Sequence, residues 1–316
     1  MAPSDPPAAR PLEDAERPHT VQVAAAQYPL DQPATFEAWA EKIEGWVAAR
    51  AATGAELLVF PEYGAIELAA TCGVTVYSDL QATLAAVADL APHMEATIAR
   101  FARQYGMHIL AGSGPARRAD GRFTNRARLI TPAGRVGVQD KMIMTPFEVA
   151  WGVVPGDRLR VFDTALGRIG IAICYDCEFP LLVRAQVEAG AEIILVPSCT
   201  ERLAGFHRVR AGARARALEN QIATITSPTI GDALWSPAVD RNTGAAGIFT
   251  PPEVRIAETG VLAEGRLNEP GWIAATIDLA ALRQIRSNGE MRNHADWHRQ
   301  PGAAPLASQC EVVSLR

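Results

Sequence analysis

Three polar side chains stand at the ends of apolar runs. Glu62 follows LLVFP, Lys141 follows RVGVQD and Cys174 follows RIGIAI. A thiol, a carboxylate and an ammonium group are the set that covalent acyl transfer needs. The thiol attacks a carbonyl carbon, the carboxylate moves protons, and the cation holds the oxyanion. Each residue also has an ordinary reading. A glutamate after a strand or a lysine after a hairpin is usually solvated, and most free cysteines are small buried hydrophobes. The surroundings of Cys174 favour the chemical reading. Pro180 suits the first turn of a helix, where its missing N–H costs nothing. A cysteine at a strand end just before a helix has its sulfur exposed by the turn, near N–H groups that favour thiolate.

The elements that must position these residues alternate along the chain. Apolar and β-branched runs predict strands over 21–28, 56–60, 108–113, 125–131, 135–140, 159–163, 167–174, 192–197, 222–228 and 272–277. Three- and four-residue spacing of apolar positions predicts helices over 34–52, 81–105, 180–189, 206–221 and 279–287. In 167–174, Ile169, Ile171 and Ile173 share one face with only Gly and Ala opposite, which suits a strand buried on both sides. The alternation, with antiparallel hairpins in the middle, predicts a layered α/β domain with mixed sheets. Thr145-Pro146-Phe147-Glu148 reads as a capping box.

Composition narrows the function. At 48% hydrophobic and 21% charged, the 316 residues can build a sizeable core. Residues 1–19 read as a disordered Pro-rich tail, 20–290 as one domain without an internal linker, and 291–316 as an irregular C-terminal arm. The net charge of −5 and the lack of a basic run argue against nucleic acid or an anionic membrane surface as partner. No run of 18 apolar residues suggests a membrane span. The N-terminus lacks the apolar segment of a secretory signal. Five cysteines without framework spacing fit a reducing cytoplasm. His294 and His298 have the spacing of a helical metal pair, but no cysteine set accompanies them. No phosphate-binding glycine motif occurs. No cofactor or metal is expected.

Taken together, VFPEYG around Glu62, QDKMIMTPFE around Lys141 and GIAICYDCEFP around Cys174 make the chain resemble the nitrilase superfamily of carbon–nitrogen hydrolases. VAAAQY at 23–28, ILVPSCT at 194–200 and ARALENQ at 215–221 support the resemblance, which covers about residues 20–290. It implies a four-layer αββα sandwich with two mixed β-sheets, usually paired into an αββα–αββα homodimer. It implies Cys174 as the nucleophile that forms a thioester and Glu62 as the general base. Lys141 would hold the oxyanion, with the backbone N–H of Tyr175. Glu148 matches a second carboxylate that positions the lysine or the substrate, and Cys199 and Thr200 fall beside the substrate. Cys-Tyr-Asp followed by Phe-Pro is similar to the amidase and carbamoylase side, where nitrilases carry Cys-Trp-Glu. The expected reaction is therefore hydrolysis of a small carboxamide or N-carbamoyl compound with release of ammonia. Nitrile hydrolysis by the same triad, and ammonia supply to a separate partner enzyme, are the alternatives. A thioester-using acyltransferase of the lipoprotein-modifying kind would carry membrane helices. A non-catalytic scaffold would not need all three triad residue types.

Overall fold

β1 (Thr20–Pro29) is the strand beside which both sheets assemble. Its three successive alanines, Ala24 to Ala26, are fully buried and leave room for layers on both faces. The computed structural model describes residues 19–301. In the first sheet, β1 pairs in parallel with β2 (Leu57–Val59), and β2 in parallel with β3 (His108–Arg117). β3 then pairs antiparallel with β4 (Phe123–Ile130), and β4 with β5 (Val136–Asp140). The second sheet runs through β6 (Val161–Thr164), β7 (Gly167–Ile171), β8 (Ile193–Ser198) and β9 (Ala223–Asp232). The two-residue β10 (Arg241–Asn242) extends β9, and β11 (Gly247–Phe249) and β12 (Val261–Glu264) complete this sheet. β13 (Gly271–Asp278) returns to the first sheet, antiparallel along β1 from Thr20↔Asp278 to Gln27↔Gly271. The two sheets touch where Tyr28 and Pro29 of β1 pair with Thr229 and Ile230 of β9.

The layers follow from the alternation of side chains along each strand. Val21, Val23 and Ala25 face inward, in one apolar cluster with Ile169, Ile171, Ile193 and Ile225 of the opposite sheet. Ala24, Ala26 and Leu58 face outward. They pack with Trp39, Ile43 and Val47 of α1 (Phe36–Ala51), and with Met94 and Ile98 of the long α3 (Leu80–Tyr105), which follows the one-turn α2 (Val74–Tyr77). On the other side, a Cβ at Gly170 would sit 3.0 Å from Gln186 of α5 (Pro180–Glu188). The Gly/Ala side of β7 thus faces a helix, and its isoleucines face the other sheet. α6 (Leu203–Asn220) packs against β9 in the same outer layer. The result is the expected αββα sandwich with mixed sheets.

Helix starts obey local chemistry. Thr35 and Asp79 cap α1 and α3 by accepting from Ala38 and Ala82. The predicted capping box opens α4 (Pro146–Trp151), with both of its reciprocal bonds present. Several elements differ from expectation. β3 runs four residues past Ser113, carried by its pairing with β4 up to Arg117↔Phe123. A 3₁₀ segment, Gly64–Cys72, had no signal in the sequence, and β11 and β12 are too short to show a period. After α7 (Leu279–Asn288), the described part of the arm holds the short α8 (Asn293–Asp296) and a 3₁₀ turn. It is pinned where the Arg184 guanidinium lies 4.7 Å over the Trp297 ring. The predicted Pro-rich tail and the last part of the arm lie outside the described residues, except for residue 19.

Candidate active site

Glu62 leaves β2 through a tight turn. Ser113 N–H donates to the Pro61 carbonyl at 3.1 Å, and Gly112, at φ +75°, lies so close that a Cβ there would come within 2.1 Å of the Pro61 oxygen. Only glycine permits that approach. Lys141 follows β5 and is held by its own backbone, donating to the Asn125 carbonyl at 2.9 Å. Cys174 opens a 3₁₀ turn, Cys174–Glu178, between β7 and α5, and Pro180 takes the first helical turn as expected. The φ of Cys174 is +48°, a left-handed conformation that costs a non-glycine residue about 1–2 kcal/mol. The surroundings must hold it there.

The three separated strand ends converge. Lys141 Nζ donates to Glu62 Oε1 at 2.8 Å and to Glu148 Oε2 at 2.7 Å, and all three side chains are essentially inaccessible to solvent. Glu62 Oε2 accepts from the Cys199 backbone N–H at 2.9 Å. The Cys174 thiol donates to the Cys199 carbonyl at 3.8 Å, so the Cys199 backbone is bonded to both Glu62 and Cys174. Glu148 is saturated. It accepts from Lys141, from the Thr145 N–H and hydroxyl, from Tyr63 Oη and from Asn125 Nδ2, all within 3.1 Å. That leaves no acceptor position for a substrate N–H. Of the two roles expected for Glu148, the geometry fits holding the lysine.

Burial drives the electrostatics. It raises the Glu62 carboxyl despite Lys141, with Glu148 adding to the rise. Burial alone would lower the Lys141 ammonium, but Glu62, Glu148 and Cys174 outweigh it and hold Lys141 well above its ordinary value. Burial would likewise raise Glu148, yet Lys141 and the Thr145 and Asn125 donors keep it below the usual carboxylate range. Cys174 is pushed well up by burial and by Glu62. This corrects the sequence expectation of a turn that favours thiolate. The sulfur rests as a protonated thiol, and a base must take its proton as it reacts.

Three residues that sequence reasoning missed complete the arrangement. Tyr63, itself at φ +55°, donates to Glu148, and Asn125 of β4 bridges Glu62 and Glu148. Asp176 accepts from the Ile143 N–H at 2.8 Å and the Met142 N–H at 3.1 Å, tying the nucleophile turn to the segment after Lys141. Asp176 was in view inside CYDCEFP. Asn125 carried only the weak signal of an amide within a strand.

Burial pushes the Asp176 carboxyl up to about 7, against Lys141 and its two N–H donors. A carboxyl raised on folding binds its proton more tightly in the native state. Stability therefore falls as pH climbs from about 4 to about 7 and levels off above. Asp176→Asn keeps an oxygen for both N–H groups and removes that titration. The drop in thermal midpoint between about pH 5 and about pH 8 should shrink in the variant. An unchanged drop would mean that Asp176 does not contribute to it.

The site opens into a cavity of about 650 Å³. Tyr175, Cys199 and Thr200 line it, as expected, with Phe147 and Trp151 on one wall and Glu178 and Arg208 on another. Thr200 Oγ1 is committed to the Thr243 carbonyl at 2.7 Å, and Cys199 bonds Asn242 through its sulfur. His294 is pushed down to about 4 by burial and by Arg286 and Arg184, on the arm. Among the described residues no three His, Cys, Asp or Glu side chains gather as a metal site, and no helix is long and apolar enough to cross a membrane.

Glu62, Lys141 and Cys174 thus lie buried together at strand ends of an αββα sandwich. The chain belongs to the carbon–nitrogen hydrolase family, whose model matches residues 21–287. It is similar to "Probable hydrolase YhcX" of Bacillus subtilis (strain 168), 34% identical over 283 residues, covering 88% of this chain and 54% of that protein. The chain thus spans about half the length of that relative. It is 27% identical over 209 residues to omega-amidase NIT2-B of Xenopus laevis, covering 62% of this chain and 70% of the relative. The fold is shared with an amidase from Nesterenkonia sp., solved with the acetamide moiety of fluoroacetamide added covalently at its active-site cysteine. The TM-score is 0.62 at 22% identity, over 88% of this chain and 95% of that one.

Proposed function

We propose that the protein hydrolyses the C–N bond of a small carboxamide through a thioester on Cys174, with release of ammonia. The observation that carries this reading is that Cys174, Glu62 and Lys141 line one cavity, with Glu62 bonded to Lys141 and the Cys199 backbone bonded to both Glu62 and Cys174. As Cys174 Sγ bonds the carbonyl carbon, the S–H proton passes to Glu62. The carbonyl π electrons move to oxygen, and that oxyanion is held by the Lys141 ammonium and the Tyr175 N–H. Collapse breaks the C–N bond as Glu62 returns the proton to nitrogen, and ammonia leaves. Water then attacks the thioester while Glu62 takes its proton. The second collapse yields the carboxylic acid and, with that proton, the thiol. Glu148 holds Lys141 in place throughout.

The names of the relatives support amide chemistry, as does the Tyr175-Asp176 sequence after the nucleophile. A preference for amides cannot rest on Glu148, whose acceptors are all filled. The test is ammonia release from a panel of carboxamides, N-carbamoyl amino acids and nitriles, with Cys174→Ala as control. A carboxamide should turn over at least about tenfold faster than the nitrile of the same acyl group, a barrier difference of about 1.4 kcal/mol. A faster nitrile would move the protein to the nitrilase reaction.

A further inference from the structure

Asn125 is fully buried in β4, and its two side-chain ends are treated differently. Nδ2 donates to Glu62 Oε1 at 2.9 Å and to Glu148 Oε1 at 3.1 Å. Oδ1 has no hydrogen-bond partner among the described residues. The orientation is unambiguous, because the flipped amide would set an oxygen against two carboxylates. A buried asparagine kept for structure satisfies both ends, since an orphaned buried acceptor is costly. This position requires an NH₂ group and tolerates the unpaired oxygen.

Charge explains why. Glu62, Glu148 and Lys141, all buried, sum to −1 when both carboxylates are ionised. The charge stays −1 after the thiol proton moves to Glu62, because it shifts to sulfur. One ammonium cannot neutralise two carboxylates, so neutral donors must hold the remainder. Asn125 reaches both carboxylates at once, as Lys141 does from the other side, and closes a four-membered ring of contacts, Glu62–Lys141–Glu148–Asn125. The other titratable groups near Glu62 are Cys174, Tyr63, Cys199, Asp176 and Cys177. Tyr63 donates to Glu148, and Glu148 is the acidic neighbour that opposes the ionisation of Glu62. Besides Lys141, the donors to Glu62 are Asn125 and the Cys199 N–H.

We propose that Asn125 is a positioning residue that keeps Glu62 ionised and aimed at the Cys174 thiol by sharing its NH₂ group between the two carboxylates. The proposal rests on the reading of Glu62 as the base that acts on Cys174, and not on the identity of the substrate.

Alkylation of Cys174 by chloroacetamide tests it without any substrate. The S–C bond forms, chloride leaves and the thiol proton passes to Glu62, so the rate reports Glu62 ionisation. The rate is followed against pH by mass gain on the peptide that holds Cys174, in wild type, Asn125→Ala and Asn125→Ser. The acid limb should move up by at least about one pH unit in Asn125→Ala, a tenfold slower reaction below the limb. Serine keeps one donor and should give a smaller shift. A limb that stays in place in folded variants overturns the proposal. So does failure of both variants to fold, which would make the residue a structural one. A shifted limb in a protein that hydrolyses no carboxamide supports this proposal and sinks the amide reading.

Discussion

Cys174→Ala should lower amide turnover by about four orders of magnitude or more while leaving the fold intact. The size of the loss follows from the absence of a substitute sulfur. Cys177 is buried, pushed well above the ordinary thiol range and bonded to the Val209 carbonyl at 3.5 Å. Cys199 is pushed up to about 12 by burial and by Glu62, and its sulfur is engaged with Asn242. The fold should survive because alanine bears the left-handed φ of +48° at about the cost that cysteine does, and only one long contact is lost, to the Cys199 carbonyl at 3.8 Å. Turnover, circular dichroism and the thermal midpoint decide it together. A folded variant with near wild-type activity would remove Cys174 as nucleophile.

Lys141→Met should lower kcat at least about a thousandfold with little change in KM. One oxyanion donor is typically worth about 10²–10³ in kcat. The structure adds a second effect, because Lys141 also stands between Glu62 and Glu148. Without the ammonium, two buried carboxylates share a site with no cation between them, and both are driven toward the neutral acid. A protonated Glu62 cannot accept the thiol proton, so the base is lost along with the oxyanion donor. In wild type, the depressed Glu148 contributes stability that is present above its unfolded value and is lost as pH falls through the folded one. In Lys141→Met Glu148 is raised instead, and Glu62, already raised, rises further. Stability should then decline as pH rises above the ordinary carboxylate range, reversing the wild-type trend of Glu148. Steady-state kinetics and melts across pH test both halves. A change confined to KM would make Lys141 a ground-state binding residue.

The sequence exposed some of this arrangement and hid the rest for identifiable reasons. Glu62, Lys141 and Cys174 were legible because each interrupts an apolar run at a strand end, where a polar side chain has no packing reason to stand. Glu148 was legible through the resemblance, with a capping box as its ordinary reading, and the structure shows that one carboxylate both caps α4 and holds the lysine. Asn125 was hidden because its importance depends on register. Only the pairing of β4 with β3 and β5, together with the turn after β2, brings its amide between two carboxylates that lie far from it in sequence. The protonated state of Cys174 was hidden for a related reason. Local sequence shows a turn near a helix, but desolvation and the facing Glu62 come from segments distant in the chain.

The antiparallel pairing of β1 with β13 bears on biosynthesis. Among the strands of the described residues, β1 is the first to leave the ribosome and β13 the last. Two of its neighbours, β2 and β13, differ greatly in when they arrive. Until Gly271–Asp278 has emerged, one edge of an alanine-rich strand has its N–H and C=O groups unpaired, open to pairing with another chain. Closing so long a loop is also slow, since contacts between distant segments must overcome chain entropy before they stabilise anything. The first sheet is therefore finished only by the last strand, after the strands that carry Glu62, Lys141 and Cys174 have all been made.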